Sequence, residues 1–190
     1  MRTGGAWSWN DIDTNRAVMF PGFFERERVS YDGDTGQVFG ELAYPVAMNS
    51  VAVEPFGGIA YVESSTDSFR ERGGVAALRA SDIDNDVTYS TLGVRIASTM
   101  QLSAMMVRPR ISVAWQHAFD GVTPDASLAF ASTGIGFTVY GVPLAEDSLL
   151  LEAGLDVSLS PNAKAGVSYA GQFSDDLQDN AVKGRVAWLF

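Results

Sequence analysis

One stretch near the C-terminal end decides the fold: Leu151-Glu152-Ala153-Gly154-Leu155-Asp156-Val157-Ser158-Leu159. Its apolar side chains occupy the odd positions, and polar or small residues occupy the even positions between them. Because successive side chains of a β-strand point to opposite faces, this period of two predicts a strand with one apolar and one polar face. The two faces of the resulting sheet are expected to meet different surroundings.

The same alternation recurs along the chain and predicts eight strands. They are expected near residues 2–13, 29–46, 51–64, 86–98, 105–118, 145–159, 163–173 and 180–190. The connections are short near 47–50, 98–103 and 160–162, and mostly longer near 14–28, 65–85, 119–144 and 174–179. Short turns on one rim and long loops on the other are typical of antiparallel up-and-down barrels in the bacterial outer membrane. The segment 127–140 is expected to form a hairpin or a strand extension within its loop.

Composition excludes several other classes of protein. No run of 18 apolar residues occurs in the 190, so a transmembrane helix is excluded, whereas membrane strands need only alternate. The absence of cysteine excludes disulfides and thiolate metal sites. A net charge of -10 argues against nucleic acid as a partner. The start at Met1 lacks the apolar core of a signal peptide, so an exported protein is expected to begin further upstream.

The polar face of the predicted sheet carries charges of both signs among glycine and alanine. A soluble sandwich would expose such a face freely and pack its apolar face on a second sheet. A water-filled lumen instead needs small residues for space and opposite charges for mutual compensation. We therefore predict that the apolar side chains point outward to lipid and that the following charged residues face the lumen: Glu41, Glu54, Arg95, Arg108, Arg110, Glu152, Asp156, Lys164, Lys183 and Arg185.

Aromatic residues fall near strand ends or on the apolar faces, as in the interfacial belts of membrane barrels. The single histidine, His117, lies among such aromatics and is interpreted as a belt residue. The belts are expected to contain Trp7, Trp9, Tyr44, Tyr61, Trp115, Phe119, Tyr169, Phe173, Trp188 and Phe190.

No catalytic or cofactor-binding motif is recognised. The acidic run from Asp82 to Asp86 resembles the start of a calcium loop, but it lacks glycine at the sixth position and has Gly93 where a bidentate glutamate is required. A Gly-x-Ser-x-Gly elbow is absent. We therefore predict no catalytic residue, no metal site and no cofactor, and a protein that is not an enzyme.

Seven segments, taken in order, resemble the C-terminal β-barrel (translocator) domain of bacterial autotransporters, the proteins of type V secretion. No single segment is diagnostic, but together they extend over essentially the whole chain. They are residues 4–16 (GGAWSWNDIDTNR), 37–44 (QVFGELAY), 53–61 (VEPFGGIAY), 89–95 (YSTLGVR), 109–119 (PRISVAWQHAF), 152–156 (EAGLD) and 186–190 (VAWLF).

The resemblance implies an anchor in the outer membrane that secretes or displays an N-terminal passenger polypeptide through its lumen. It also implies about twelve strands with a lumenal helix, so residues 1–190 are expected to lack about four strands, the helix and the passenger. The ending with Val182, Val186, Trp188 and Phe190 is similar to the signal read by the outer-membrane barrel assembly machinery. Lipids and lipopolysaccharide are the other expected partners.

Two alternatives stay open at this point. A self-contained eight-stranded barrel could act as a surface adhesin or a small pore, and a soluble binding sandwich is the third possibility. The first and last strands distinguish them, because a self-contained barrel must pair the two, whereas a fragment of a wider barrel leaves them apart.

Overall fold

The computed structural model describes residues 1–103, 105–119, 121–175 and 177–188. All of its regular structure is β, and the described residues contain no helix of the length and apolarity needed to cross a bilayer. The strands are β1 Arg2–Phe20, β2 Phe23–Ala43, β3 Val46–Met48, β4 Val51–Thr66, β5 Phe69–Arg70, β6 Leu78–Ala80, β7 Ile83–Ser98, β8 Met100–Leu102, β9 Met105–Ala118, β10 Asp125–Phe130, β11 Gly136–Tyr140, β12 Asp147–Ser160, β13 Ala163–Phe173 and β14 Gln178–Trp188.

Eight long strands form one antiparallel sheet in the order β1-β2-β4-β7-β9-β12-β13-β14. Strand follows strand in chain order, which is the up-and-down topology that the alternation predicts. Two short strands, β3 and β8, continue this sheet beside β4 and β9. The predicted bounds 105–118 and 163–173 coincide with β9 and β13.

The predicted loop at 14–28 is wrong. β1 and β2 pair continuously from Arg2 opposite Glu41 to Phe20 opposite Phe23, and Pro21-Gly22 forms the turn, with Gly22 at a φ of 85°. β4 pairs with β2 only as far as Gly33, so the tip of the β1–β2 hairpin projects beyond the sheet. Charged residues occupy both faces of this tip, and no apolar alternation marks it as a strand in the sequence.

The long loops build a second, small sheet in the order β11-β10-β6-β5. The hairpin expected within 127–140 is confirmed as β10 and β11, which pair from Asp125 opposite Tyr140 to Ala129 opposite Gly136. β6, from the loop between β4 and β7, pairs with β10. Two loops that are far apart in sequence are thereby joined above one rim of the main sheet.

The short connections are tight turns on the opposite rim. Met48 lies opposite Val51 around Asn49-Ser50, and Leu102 lies opposite Met105. Asn49 and Ser103 adopt positive φ angles of 54° and 57°, which the close reversal of an antiparallel pair requires.

The main sheet is open within the described residues. β1 pairs only with β2, and β14 pairs only with β13, so the two end strands do not meet. This confirms the prediction that the first and last strands stay apart, and it argues against a self-contained eight-stranded barrel.

Candidate functional site

The register of the main sheet places all ten predicted lumenal charges on one face. Antiparallel partners share a face, so the pairing of Glu54 with Arg95 can be followed to Ser112 and Glu152 in the next strands. Asp156 belongs to the same face through its pairing with Arg108. The other members follow by the same registers, namely Glu41, Arg110, Lys164, Lys183 and Arg185.

This charged face is the concave one. Phe56, Ala114 and Ser148 lie on it and are buried, although no second layer of the main sheet covers them. On the opposite face Leu92 and Ile59 keep more than half of their surface exposed, at 65% and 59%. Curvature explains the difference, because side chains converge on the inside of a curved sheet and diverge on its outside.

A cluster of two arginines and two glutamates, whose charges balance, lies on the concave face near the short-turn rim. Arg95 contacts Glu41 at 2.5 Å and Glu54 at 3.1 Å, and Arg2 approaches the same two carboxylates at 3.4 Å each. The Arg95 guanidinium also stacks on the ring of Phe56, 3.6 Å from its centroid. Arg95 on β7 therefore reaches across β4 to β2, which ties three strands together on the concave side.

A second cluster crosses the C-terminal strands and depends on glycine. Asp156 forms ion pairs with Arg110 and with Arg185, the latter at 3.1 Å. Gly166 lies between Asp156 and Arg185 in the ladder, and Gly154 lies directly opposite Arg110. A Cβ on Gly154 would stand 2.7 Å from the Arg110 guanidinium, and one on Gly166 would collide with the Asp156 carboxylate. The glycines therefore provide the space that the ion pairs occupy.

Four of the predicted charges form no ion pair among the described residues, and they are Glu152, Arg108, Lys164 and Lys183. The face as a whole combines four acids with six bases of the predicted set, and Arg2 adds a seventh base. This face, which is the wall of the predicted lumen, thus has a weakly positive net charge, although the net charge of the whole chain is -10.

The convex face carries the apolar side chains that the alternation assigns to it. Ile111 and Val113 on β9 pair with Ile96 and Val94 on β7, and Leu155 and Val167 pair with each other. Leu151 and Val157 belong to the same face, whereas their neighbours Glu152 and Asp156 belong to the concave one. The orientation predicted for these side chains agrees with the registers.

Aromatic side chains mark the two ends of the apolar band on the convex face. Trp9, Tyr61 and Trp115 lie toward the long-loop rim, and Trp188 lies at the short-turn rim. On β14 the side chains of Val182, Val186 and Trp188 are exposed on this face. Phe190, the last member of the predicted assembly signal, lies outside the described residues.

His117 belongs to the outer end of this band, in agreement with its interpretation as a belt residue. Its ring makes an edge contact with Phe119 at 4.8 Å between centroids. No local feature of the sequence indicates its partner, Asp147, whose Oδ1 lies 3.0 Å from His117 Nδ1 and accepts a hydrogen bond from Trp115 Nε1 at 2.8 Å.

Beyond the band, the projecting hairpin binds the loop between β5 and β6 through carboxylates. Arg16 donates two hydrogen bonds to Glu71, which in turn accepts one from the Leu78 amide. These hydrogen bonds from Arg16 to the carboxylate raise the pKa of Arg16 above its ordinary value. Glu27 is fully buried and accepts from the Gly74 amide, so two buried acids hold the loop against the hairpin.

Sequence reasoning missed several of these contacts. Arg2, the first residue of the predicted strand 2–13, and Phe56 carry no predicted role, although both contribute to the first cluster. The alternating run Glu25-Arg26-Glu27-Arg28 was a detectable signal, because a strand segregates such residues onto two faces. Within the described residues, no group of three His, Asp or Glu side chains is arranged to hold a metal ion.

Comparison with known proteins gives a consistent result. The model of the family described as Autotransporter beta-domain matches residues 1–170. An extracellular serine protease of Serratia marcescens is 36% identical over 190 residues, which is 100% of this chain and 18% of that protein. A second extracellular serine protease of Serratia marcescens is 34% identical over 187 residues, or 98% of this chain and again 18% of the relative. The chain thus corresponds to less than a fifth of the length of these relatives.

Proposed function

Because the chain belongs to the autotransporter β-domain family, we propose that its concave face forms part of the wall along which a passenger polypeptide crosses the outer membrane. The autotransporter β-domain is the translocator that anchors in this membrane and secretes a passenger.

The segregation of the two faces supports the lumenal assignment. Lipid cannot solvate charges, so a charged row in mid-strand requires a hydrated or paired environment. The ion pairs across β2, β4 and β7 supply that pairing, and the unpaired charges on β9 to β14 keep the wall wettable. A passenger passing this wall meets both signs of charge and few apolar surfaces, so it is not held by strong hydrophobic contacts.

The unpaired edges of β1 and β14 support a wider barrel. Every backbone group in the hydrocarbon region needs a partner, and an open edge leaves a row of amides and carbonyls without one. We propose that about four further strands of the same polypeptide complete the barrel and that a lumenal helix connects it to the passenger. The passenger would carry any catalytic activity, and a secreted protease is the first candidate to examine, given the names of the relatives.

The exposed row on β14 supports a role in assembly. Val182, Val186 and Trp188 stand at alternate positions on the convex face of the last strand, whose outer edge is free to pair among the described residues. Strand addition at a free edge is a common way to recognise an extended segment. We propose that these residues, with Phe190, form the signal for the barrel assembly machinery. Replacing Val182 and Val186 with serine should lower the amount of inserted protein, whereas Lys183→Gln on the opposite face should not.

The topology is tested by epitope insertion on intact cells. A tag at the Pro21-Gly22 turn should bind antibody without permeabilisation, and a tag at the Asn49-Ser50 turn should bind only after the outer membrane is opened. The reverse pattern, or equal access to both tags, would contradict the proposed orientation. A reporter domain fused upstream of Met1 within the complete polypeptide then tests passage, since secretion should place it outside the cell.

A further inference from the structure

A cluster of arginines on the projecting hairpin has no role in the proposed translocation path. Its core is Arg26, Arg28, Arg70 and Arg72, which line one cleft of about 1000 Å3. All four side chains are exposed, and none forms a salt bridge with a described residue. These four account for a large share of the 13 basic residues in a chain whose net charge is -10.

Strand alternation produces this cluster by sorting the charges. In Glu25-Arg26-Glu27-Arg28 the two glutamates take one face and the two arginines take the other. The glutamates accept hydrogen bonds from the amides of Gly74 and Ala76, so these backbone donors stabilise their negative charge within the fold. The arginines on the opposite side are left without these carboxylates.

Backbone pairing brings the arginines together directly. Arg28 and Arg72 exchange two backbone hydrogen bonds, at 3.0 and 2.8 Å, and therefore stand side by side. Arg70 lies opposite Arg79 in the pairing of β5 with β6. Like charges placed directly opposite each other in a sheet are destabilising. Two such pairs in one region concentrate positive charge that an anion would compensate.

The acids near the cleft do not provide this compensation. Among the described residues, Asp13 is the only carboxylate that lines it, and the Asp13 side chain accepts a hydrogen bond from the Ser30 hydroxyl. The cleft therefore retains an excess of about three positive charges, as four arginines against one aspartate. A guanidinium offers a planar pair of N–H donors, which fits a phosphate oxygen pair better than any neutral ligand.

The cleft faces outward, away from the passenger path. Arg28 has the same parity on β2 as Val38 and Leu42, which belong to the convex face, whereas Glu41 belongs to the concave face. Arg28 lies six positions before Asp34, the partner of the belt residue Trp9. At about 3.3 Å per residue and a tilt of about 40°, the arginines stand about 15 Å above the outer belt.

We propose that this cleft binds the phosphate groups on the sugars of lipopolysaccharide in the surrounding outer leaflet. The proposal rests on the proposed function, because it requires the long-loop rim to face the cell exterior. Bound phosphates bridge Arg28 and Arg72 and remove their repulsion, and they fix the projecting hairpin against the leaflet. The anion is a membrane component, since the convex face at this height meets lipid-borne sugars rather than the lumen.

The test measures binding of purified lipopolysaccharide, in detergent, to the complete polypeptide that contains this chain. The double variant Arg28→Gln/Arg72→Gln should lose affinity by at least about tenfold for each arginine removed, since a hydrogen bond to a charged group contributes about that factor. Arg108→Gln/Lys183→Gln removes the same charge from the concave face and should bind like the original chain. Arg28→Lys/Arg72→Lys should recover only part of the affinity, because lysine keeps the charge without the planar pair of donors.

Chemically dephosphorylated lipopolysaccharide and vesicles of phosphatidylglycerol serve as the competing ligands. Both should bind at least about tenfold more weakly than the phosphorylated form. Equal binding of the dephosphorylated form, or unchanged affinity in Arg28→Gln/Arg72→Gln, would overturn the proposal. Folding of each variant is checked separately by its heat-dependent mobility on gels. If the wild-type protein inserts with the predicted tag topology but shows no preference for phosphate, this inference alone is refuted. Reversed topology would instead refute the proposed function.

Discussion

The sharpest energetic consequence of the two-faced sheet concerns the neighbours Ile111 and Ser112. Ile111 lies at the centre of the apolar row that runs from Val107 to Trp115 on the convex face of β9, and it is 43% exposed. Ser112 lies on the concave face between Arg95 and Glu152. An arginine introduced at either position lies on the same strand and at nearly the same depth in the bilayer, so the two variants differ in the face of the sheet that carries the new charge.

We expect Ile111→Arg to destabilise the folded chain in a bilayer by about 2 to 4 kcal/mol, because the guanidinium must enter lipid near the midplane. Ser112→Arg should cost less than about 2 kcal/mol, since the new guanidinium stays on the water-facing side, where the Glu152 carboxylate opposite it offsets the repulsion from Arg95 on the other side. With a urea dependence of about 2 kcal/mol per molar, the unfolding midpoint should fall by about 1 to 2 M for Ile111→Arg.

The assay is urea unfolding, in lipid vesicles, of the complete β-domain that contains this chain, followed by tryptophan fluorescence and by heat-dependent mobility on gels. Both variants should retain the slope of the transition if the same surface is exposed on unfolding. Equal losses for Ile111→Arg and Ser112→Arg, or a larger loss for Ser112→Arg, would refute the assignment of the two faces.

Two further predictions concern the concave wall and the projecting hairpin. Gly166→Val should destabilise by about 1 to 3 kcal/mol because its side chain would displace the Asp156 carboxylate, whereas Gly184→Val, whose Cβ meets open space, should be nearly neutral in the same urea assay. Glu71→Gln should weaken the contact with Arg16 and increase proteolytic cleavage within residues 73–77. The membrane-embedded part of the sheet should stay as resistant to the protease as in the original protein. Glu63→Gln, on an exposed glutamate, is the control, and equal cleavage of the two variants would contradict the role of Glu71.

The main sheet could be predicted from the sequence because its faces meet different solvents. Every second residue is apolar from Met105 to Trp115 in β9 and, apart from Gly171, along β13, and the predicted bounds match the observed ones. The period of two also places the ten lumenal charges on one face, since each strand fixes which of its residues share a side.

The outer structure could not be predicted in the same way because both of its faces meet water. Residues 14–20 and 23–28 extend β1 and β2 without apolar alternation, and only their pairing in space reveals the hairpin. The pairing of β6 with β10 joins loops that are about fifty residues apart, for which a single sequence has no local signal. The Arg16–Glu71 and His117–Asp147 contacts depend on the same long-range register.

The central claim is that the sheet stands in the bilayer with its apolar face to lipid and its charged face to water. The chain has no cysteine, so single cysteines at Val167, Ser168, Tyr169 and Ala170 on β13 can each carry a fluorescent label in lipid vesicles. Labels at 167 and 169 should be quenched by a quencher on the lipid tails, and labels at 168 and 170 by a water-soluble one. Quenching without alternation along these four positions, or alternation of the opposite phase, would contradict the account.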